Sequence, residues 1–128
     1  MIRIVLVEDN EVVRTGLTQL LSAQEDMTVV AQAVNGLEAV KLFESNIETD
    51  LVLADLNMPL MDGIEMTERL VSQLPHLKVV ILTMHAKSAF AERAVKAGAK
   101  GYVLKHAEMD ELFTAIRTVH AGGTYASS

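Results

Sequence analysis

The sequence predicts an α/β domain built from five βα units, a doubly wound parallel sheet of five strands in the order 2-1-3-4-5. Two observations carry this expectation. Short β-branched runs alternate with amphipathic stretches along the chain, and three of the runs are almost continuously apolar, as strands buried on both faces must be. Right-handed crossovers between such strands place helices on both faces of the sheet.

The expected strands are residues 2–7 (IRIVLV), 27–34 (MTVVAQAV), 51–54 (LVLA), 78–83 (KVVILT) and 101–105 (GYVLK). Helical spacing links Val13, Leu17, Leu20, Leu21 and Gln24 in the first intervening segment, with Asp9 or Asn10 placed as its cap. Leu37, Val40 and Phe43 mark the second helix. Leu70, Val71 and Leu74 mark the third, which stops at Pro75. Phe90, Ala94 and Ala97 mark the fourth, closed by Gly98. The fifth carries Leu112, Ala115, Ile116 and Val119 at i, i+3, i+4 and i+7, closed by Gly122 and Gly123. Residues 1–121 form the domain; the small, polar tail 122–128 (GGTYASS) reads as the start of a linker to a second domain.

Composition narrows the function classes. A chain of 128 residues is one domain, and 50% hydrophobic with 22% charged residues is the composition of a globule. Eleven Lys and Arg against 17 Asp and Glu give a net charge of −6, which argues against holding nucleic acid through this chain's own surface. The absence of Cys excludes disulfides, thiolate metal sites and cysteine nucleophiles. The opening MIRIVLVEDN is too short for the apolar part of a signal peptide, and no run approaches the roughly 20 residues of a membrane helix. A cytoplasmic location without membrane contact is expected.

The chemistry is expected where strands end, because open α/β sheets bind ligands beyond the carboxyl edges of their strands. The first strand ends on Glu8 and Asp9, the third on Asp55, the fourth on Thr83 and the fifth on Lys105. In the flavodoxin-like order 2-1-3-4-5, strands one and three are neighbours at the switch point, which brings Asp9 and Asp55 together. Clustered carboxylates repel unless a cation joins them, and an all-oxygen donor set with few protein ligands fits Mg²⁺ better than a Ca²⁺ cage. A divalent ion, an ammonium and a hydroxyl around one carboxylate suit a phosphoryl group, and carboxylates form aspartyl-phosphates. Taken singly, Asp9 reads as a helix cap, Thr83 as a strand former and Lys105 as a solvated lysine. The coincidence of all these residues at strand ends is what argues otherwise. His76, His85, His106 and His120 show no ligand spacing.

On these residues the chain resembles the receiver domain of two-component response regulators, from residue 2 to about 121. The motifs are VEDN with Glu8 and Asp9, LADLNMPLMDG around Asp55, LTMH with Thr83, and GAKGYVLK with Tyr102 and Lys105. The resemblance implies that Asp55 accepts a phosphoryl group from a sensor histidine kinase. It implies that Asp9, Asp55 and the backbone carbonyl of Asn57 ligate Mg²⁺, with Glu8 assisting through water. It further implies that Lys105 holds the phosphoryl oxygens and that Thr83 and Tyr102 rearrange on phosphorylation, the Tyr102 ring turning from exposed to buried. GYVLKH and GGTY resemble the NarL/FixJ subgroup, whose receivers precede a LuxR-type DNA-binding domain; DNA contact and transcription regulation would run through that domain, and a homodimer is left open.

Three departures qualify the resemblance: Glu8 stands where many receivers have Asp, Met84 follows Thr83 where a small residue is frequent, and His106 follows Lys105 where Pro is frequent. Without Pro, the bond after Lys105 is expected to be trans. Asn57 and His85, each two residues beyond a pocket residue, are expected to flank the path of an attacking water. Rival readings fit less well. A phosphatase with an Asp nucleophile would need a second Asp where Asn57 stands, and a flavin or nucleotide module would need a phosphate loop where EDNEVVR stands. A stand-alone phosphoryl shuttle would end without the linker-like tail.

Overall fold

The computed structural model of the chain describes residues 1–84, 88–105 and 109–127, without the side chain of Ser88. The expectations placed on His85 and on the bond between Lys105 and His106 fall outside these residues. Six parallel strands form one sheet in the order β2-β1-β3-β4-β5-β6. They are β1 (Ile2–Val7), β2 (Met27–Ala33), β3 (Leu51–Asp55), β4 (Lys78–Thr83), β5 (Gly101–Leu104) and β6 (Tyr125–Ala126). The connecting helices are α1 (Glu11–Ser22), α2 (Gly36–Glu44), α3 (Gly63–Gln73), α4 (Ser88–Ala97) and α5 (Met109–His120).

The five expected strands thus occur in the expected order, and a sixth, two-residue strand extends the edge beyond β5. It lies in the tail read from sequence as linker. Tyr125 N donates to Lys100 O at 3.0 Å and Ser127 N to Tyr102 O at 2.8 Å. The Ser127 hydroxyl accepts from Leu104 N at 3.2 Å and donates to Glu111 Oε1 at 2.5 Å.

Strand alternation divides the core in two. Val5 and Val7 of β1, Val52 and Ala54 of β3, and Val79 and Ile81 of β4 pack on one face, under α2, α3 and α4. Ile4 and Leu6, Leu51 and Leu53, and Val80 and Leu82 pack on the other, under α1 and α5. The almost continuously apolar runs of β1, β3 and β4 follow from this: both faces of each strand are covered. At the other edge, β2 slips one residue against β1 between Ile4 and Val5, leaving Val30 without a register partner and exposed.

Caps match local sequence. The side chains of Asn10, Asn35 and Asp62 accept from Val13 N, Glu38 N and Glu65 N, opening α1, α2 and α3. Asn10, not Asp9, is therefore the first cap. Gly98 closes α4 at φ +111°, a conformation that favours glycine. Three apolar assignments need correction. Leu20 points to solvent, Gln24 lies beyond the end of α1, and Leu74 is the half-exposed C-cap of α3. In α1 only Leu17 and Leu21 are fully buried, so the stripe is narrower than its leucines imply. No helix among the described residues is long and apolar enough to cross a membrane.

Candidate phosphoacceptor site

The carboxyl edges of β1, β3, β4 and β5 meet at one end of the sheet. Beyond Val7, the chain continues the ladder for one more bond, Glu8 N to Ala33 O at 3.0 Å, before turning into α1. That bond carries Glu8 inward, where it is 2% exposed, while Asp9 remains exposed. Both Glu8 oxygens are engaged: Oε2 accepts from Asn10 N at 2.9 Å and Oε1 from Lys105 Nζ at 3.0 Å. Asn10 therefore does two jobs, capping α1 with its side chain and holding Glu8 with its amide.

Asp55 is the last residue of β3, in register with Leu82 of β4, and is buried. Its backbone is pinned from behind by α3. A Cβ on Gly63 would lie 2.4 Å from Asp55 O, so only glycine allows the helix to start this close to the end of β3. Gly63 N also donates to Leu56 O at 2.9 Å. Lys105, the first residue beyond β5, spans the site, with Nζ 3.0 Å from Asp55 Oδ2 as well as from Glu8 Oε1. Its backbone N donates to Thr83 O at 2.6 Å, locking the end of β5 to the end of β4. Thr83 is fully buried one residue beyond the position opposite Asp55; burial pushes the Tyr102 phenol on the neighbouring β5 above the ordinary tyrosine value, and the Thr83 side chain opposes part of this.

One oxygen from each of Glu8, Asp9 and Asp55 lies within 4.8 Å of the others. Burial pushes the Glu8 carboxyl above the ordinary glutamate value; the bonds from Asn10 and Lys105 offset part of this, while Asp9 and Asp55 add to it. Burial is also the largest single influence on Lys105 and pulls it down. The bonds and charges of Asp55 and Glu8 together outweigh it, so the ammonium is held above the ordinary lysine value. Among the described residues, Lys105 is the one side-chain cation that contacts these carboxylates, so three acidic groups share one paired ammonium. Among the described residues the cluster offers three carboxylates, oxygen donors only, and these fit a hard divalent cation such as Mg²⁺.

The residues singled out from sequence divide as follows. Glu8, Asp9, Asp55 and Lys105 come together directly. Thr83 joins them through its backbone bond to Lys105, and Tyr102 joins Thr83. Asn57 stands exposed in the loop two residues beyond Asp55. One expectation changes: Tyr102 is already buried in this structure, 4% exposed, not turned outward. Its ring packs in the core under α4, on the same face as Ile81, its register partner in β4. Sequence reasoning passed over Gly63, whose signal was the Asp-Gly pair closing the loop after β3, and the second role of Asn10, which left no signal. A cavity of about 340 Å³ lies away from this site, at the opposite end of the strands near Thr49, Pro75 and Leu77.

Comparison with known proteins agrees with this geometry. The chain matches the response regulator receiver domain family over residues 4–117. It is 42% identical, over 96% of its length, to the transcriptional regulatory protein LnrK of Bacillus subtilis, covering 56% of that protein. It is 40% identical, over 99% of its length, to the response regulator GacA of Pseudomonas aeruginosa, covering 59%. The chain therefore spans little more than half the length of these curated relatives. Among solved structures, a LuxR-family two-component response regulator from Aurantimonas sp. superposes with a TM-score of 0.92 at 38% identity, over 96% of this chain and 87% of that one. A LuxR-family DNA-binding response regulator from Staphylococcus aureus gives a TM-score of 0.86 at 30% identity, over 94% and 99%.

Proposed function

Because this chain belongs to the response regulator receiver domain family of two-component signalling, we propose that Asp55 is its phosphoacceptor, charged by a sensor histidine kinase. The observation that carries this is the Lys105 ammonium bridging Asp55 and Glu8 at 3.0 Å each, at the point where β1, β3 and β5 end. In the reaction an Asp55 carboxylate oxygen attacks phosphorus in line with the P–N bond of a phosphohistidine. The P–O bond forms as the P–N bond breaks, and the histidine nitrogen leaves with the bonding pair. Lys105 is placed to exchange its bond to Asp55 for one to a phosphoryl oxygen, and Thr83 to donate its hydroxyl to another. Glu8 keeps Lys105 charged throughout.

The residues that would hold Mg²⁺ are Glu8, Asp9 and Asp55, with the backbone carbonyl of Asn57. The ion supplies neutralisation of the phosphoryl oxygens when bound. Asn57 flanks the acceptor and influences how long the adduct survives. The alternative of a phosphatase is disfavoured because the general acid position, two residues beyond Asp55, is Asn57. The chain thus acts as a signalling domain and not as an enzyme.

The signal leaves through Thr83 and Tyr102, which stand on the neighbouring strands β4 and β5, with the Tyr102 ring in the core under α4. Phosphorylation shifts the population between two arrangements of this pair. Residues 1–121 form the receiver and 122–128 begin the connection to a DNA-binding domain of LuxR type, through which transcription is regulated. The receiver itself, at a net charge of −6, does not hold DNA. A cytoplasmic location follows from this reading.

The test is incubation with a small phosphodonor with and without Mg²⁺, read by intact mass. The wild-type chain gains one phosphoryl group only with Mg²⁺ and Asp55→Asn gains none; full labelling of that variant sinks the assignment.

A further inference from the structure

The β1–α1 turn contains a contact that neither phosphoryl transfer nor helix formation requires. Arg14, half-buried in the first turns of α1, curls back and donates from Nη1 to the backbone carbonyl of Glu8 at 2.9 Å. Its own backbone is fixed, with Arg14 N donating to Asn10 O at 2.9 Å and the Thr18 hydroxyl donating to Arg14 O at 2.8 Å. The guanidinium thus reaches from a rigid helix to the turn after β1 that carries both Glu8 and Asp9.

The atom it grips is the informative part. The Glu8 carbonyl belongs to the planar peptide unit joining Glu8 to Asp9, so holding that oxygen sets the last torsion of Glu8 and the first of Asp9. Glu8 is independently restrained at its amide by Ala33 and at its carboxylate by Asn10 and Lys105. Asp9 is exposed and has no comparable anchor from another element among the described hydrogen bonds, so its direction is inherited from this peptide plane.

We propose that Arg14 is a positioning residue for the divalent cation. It orients the Glu8–Asp9 peptide so that the Asp9 carboxylate faces Asp55. The inference rests on the reading of the acidic cluster given above and adds a residue that no part of the acceptor chemistry names. It also has a sign that a purely electrostatic role would reverse. A guanidinium beside an acidic site repels a cation, so as a mere charge its removal would tighten Mg²⁺ binding. As a positioning group its removal loosens binding, and outer partners of metal ligands typically contribute about tenfold or more in affinity.

The experiment is a titration with Mg²⁺ alone, followed by amide chemical shifts, on the wild-type chain, Arg14→Met and Arg14→Lys, with a thermal melt of each in the absence of metal. Arg14→Met is expected to bind about tenfold more weakly, and to recover wild-type phosphorylation by a small phosphodonor once Mg²⁺ is raised to saturation. Arg14→Lys, which keeps a charged donor, is expected to recover most of the lost affinity. Equal or tighter binding by Arg14→Met overturns the proposal, and so does a lysine variant no better than the methionine one. If the melt shows that Arg14→Met does not fold, Arg14→Ala takes its place: weaker binding than wild type supports the proposal, and equal or tighter binding overturns it. Failure of the wild-type chain to bind Mg²⁺ would remove the site reading, and this inference with it.

Discussion

Lys105 Nζ lies 3.0 Å from Asp55 Oδ2 while making an equal contact with Glu8 Oε1, so a single ammonium ties the acceptor strand to the first strand. Replacing it with methionine strips the buried Glu8 of its cationic partner. Breaking a fully buried pair costs about 3–5 kcal/mol. With the Lys105 side chain 21% exposed, the expected loss is nearer 1–2 kcal/mol. Two further effects should oppose each other. Mg²⁺ should bind Lys105→Met more tightly, because a competing cation has gone, whereas phosphorylation at saturating Mg²⁺ should slow by about tenfold or more. Denaturant melts, metal titration and labelling rates check the three. Labelling at the wild-type rate would show that Lys105 only holds strands together.

A second ion pair sits at the opposite edge of the sheet and makes a prediction about acid. Arg3 binds both Asp50 oxygens, NH2 to Oδ1 and Nε to Oδ2 at 3.1 Å each, and its backbone N donates to Oδ2 at 2.8 Å. The Arg3 side chain, followed by its backbone amide and charge, holds the Asp50 carboxyl down at about 2 against the desolvation that opposes it. A depressed carboxylate contributes stability that is complete above the unfolded value, near 4, and is lost as pH falls through the folded one. Asp50→Asn should therefore cost about 1–2 kcal/mol at pH 7. The gap to wild type should narrow steadily as pH is lowered from 4 towards 2. A gap that stays constant across that range would contradict the pairing.

Leu60 occupies the left-handed region at φ +69° with its side chain 80% exposed, so it pays a steric penalty without burying anything. The penalty for an L-residue there is roughly 1–2 kcal/mol. Glycine removes it and returns about 0.5–1 kcal/mol through its freer unfolded chain. Leu60→Gly should thus raise stability by about 0.5–1 kcal/mol, measured by chemical denaturation. A loss of stability would mean that Leu60 makes contacts its exposure hides.

The tail strand β6 should be visible in hydrogen exchange. The Tyr125 amide donates to Lys100, just before β5, and the Ser127 amide to Tyr102 within it, and Ser127 closes the segment through Leu104 and Glu111. Both amides are expected to exchange well below the unfolded rate. Deleting residues 124–128 should cost about 2 kcal/mol, near 1 kcal/mol per backbone bond. Exchange at the unfolded rate would return the segment to a free linker.

What could be read from the sequence is what short-range pattern encodes. β1, β3 and β4 announce themselves because both their faces are covered, which makes their middles apolar and confines most polar residues to their ends. Glu8, Asp55, Thr83 and Lys105 were placed at one edge by chain order and parallel topology alone. The depth of Tyr102, 4% exposed here, comes from packing against residues of other elements, such as Ile81 of β4 and the helix α4, which no local pattern records. β6 was missed because two residues in a polar tail have no period; it exists through the open edge of β5 and the bond from Ser127 to Glu111. The Arg3–Asp50 pair spans 47 residues and was invisible for the same reason.

The most direct measurement of the central claim is chemical identification of the acceptor. The chain is phosphorylated with a small phosphodonor and Mg²⁺, the acyl phosphate is trapped by borohydride reduction, and the modified residue is located by peptide sequencing. The account predicts a single reduced residue, Asp55, and none when Mg²⁺ is chelated. Trapping at Glu8 or Asp9, or an adduct on Asp55 that forms equally well without Mg²⁺, would contradict it.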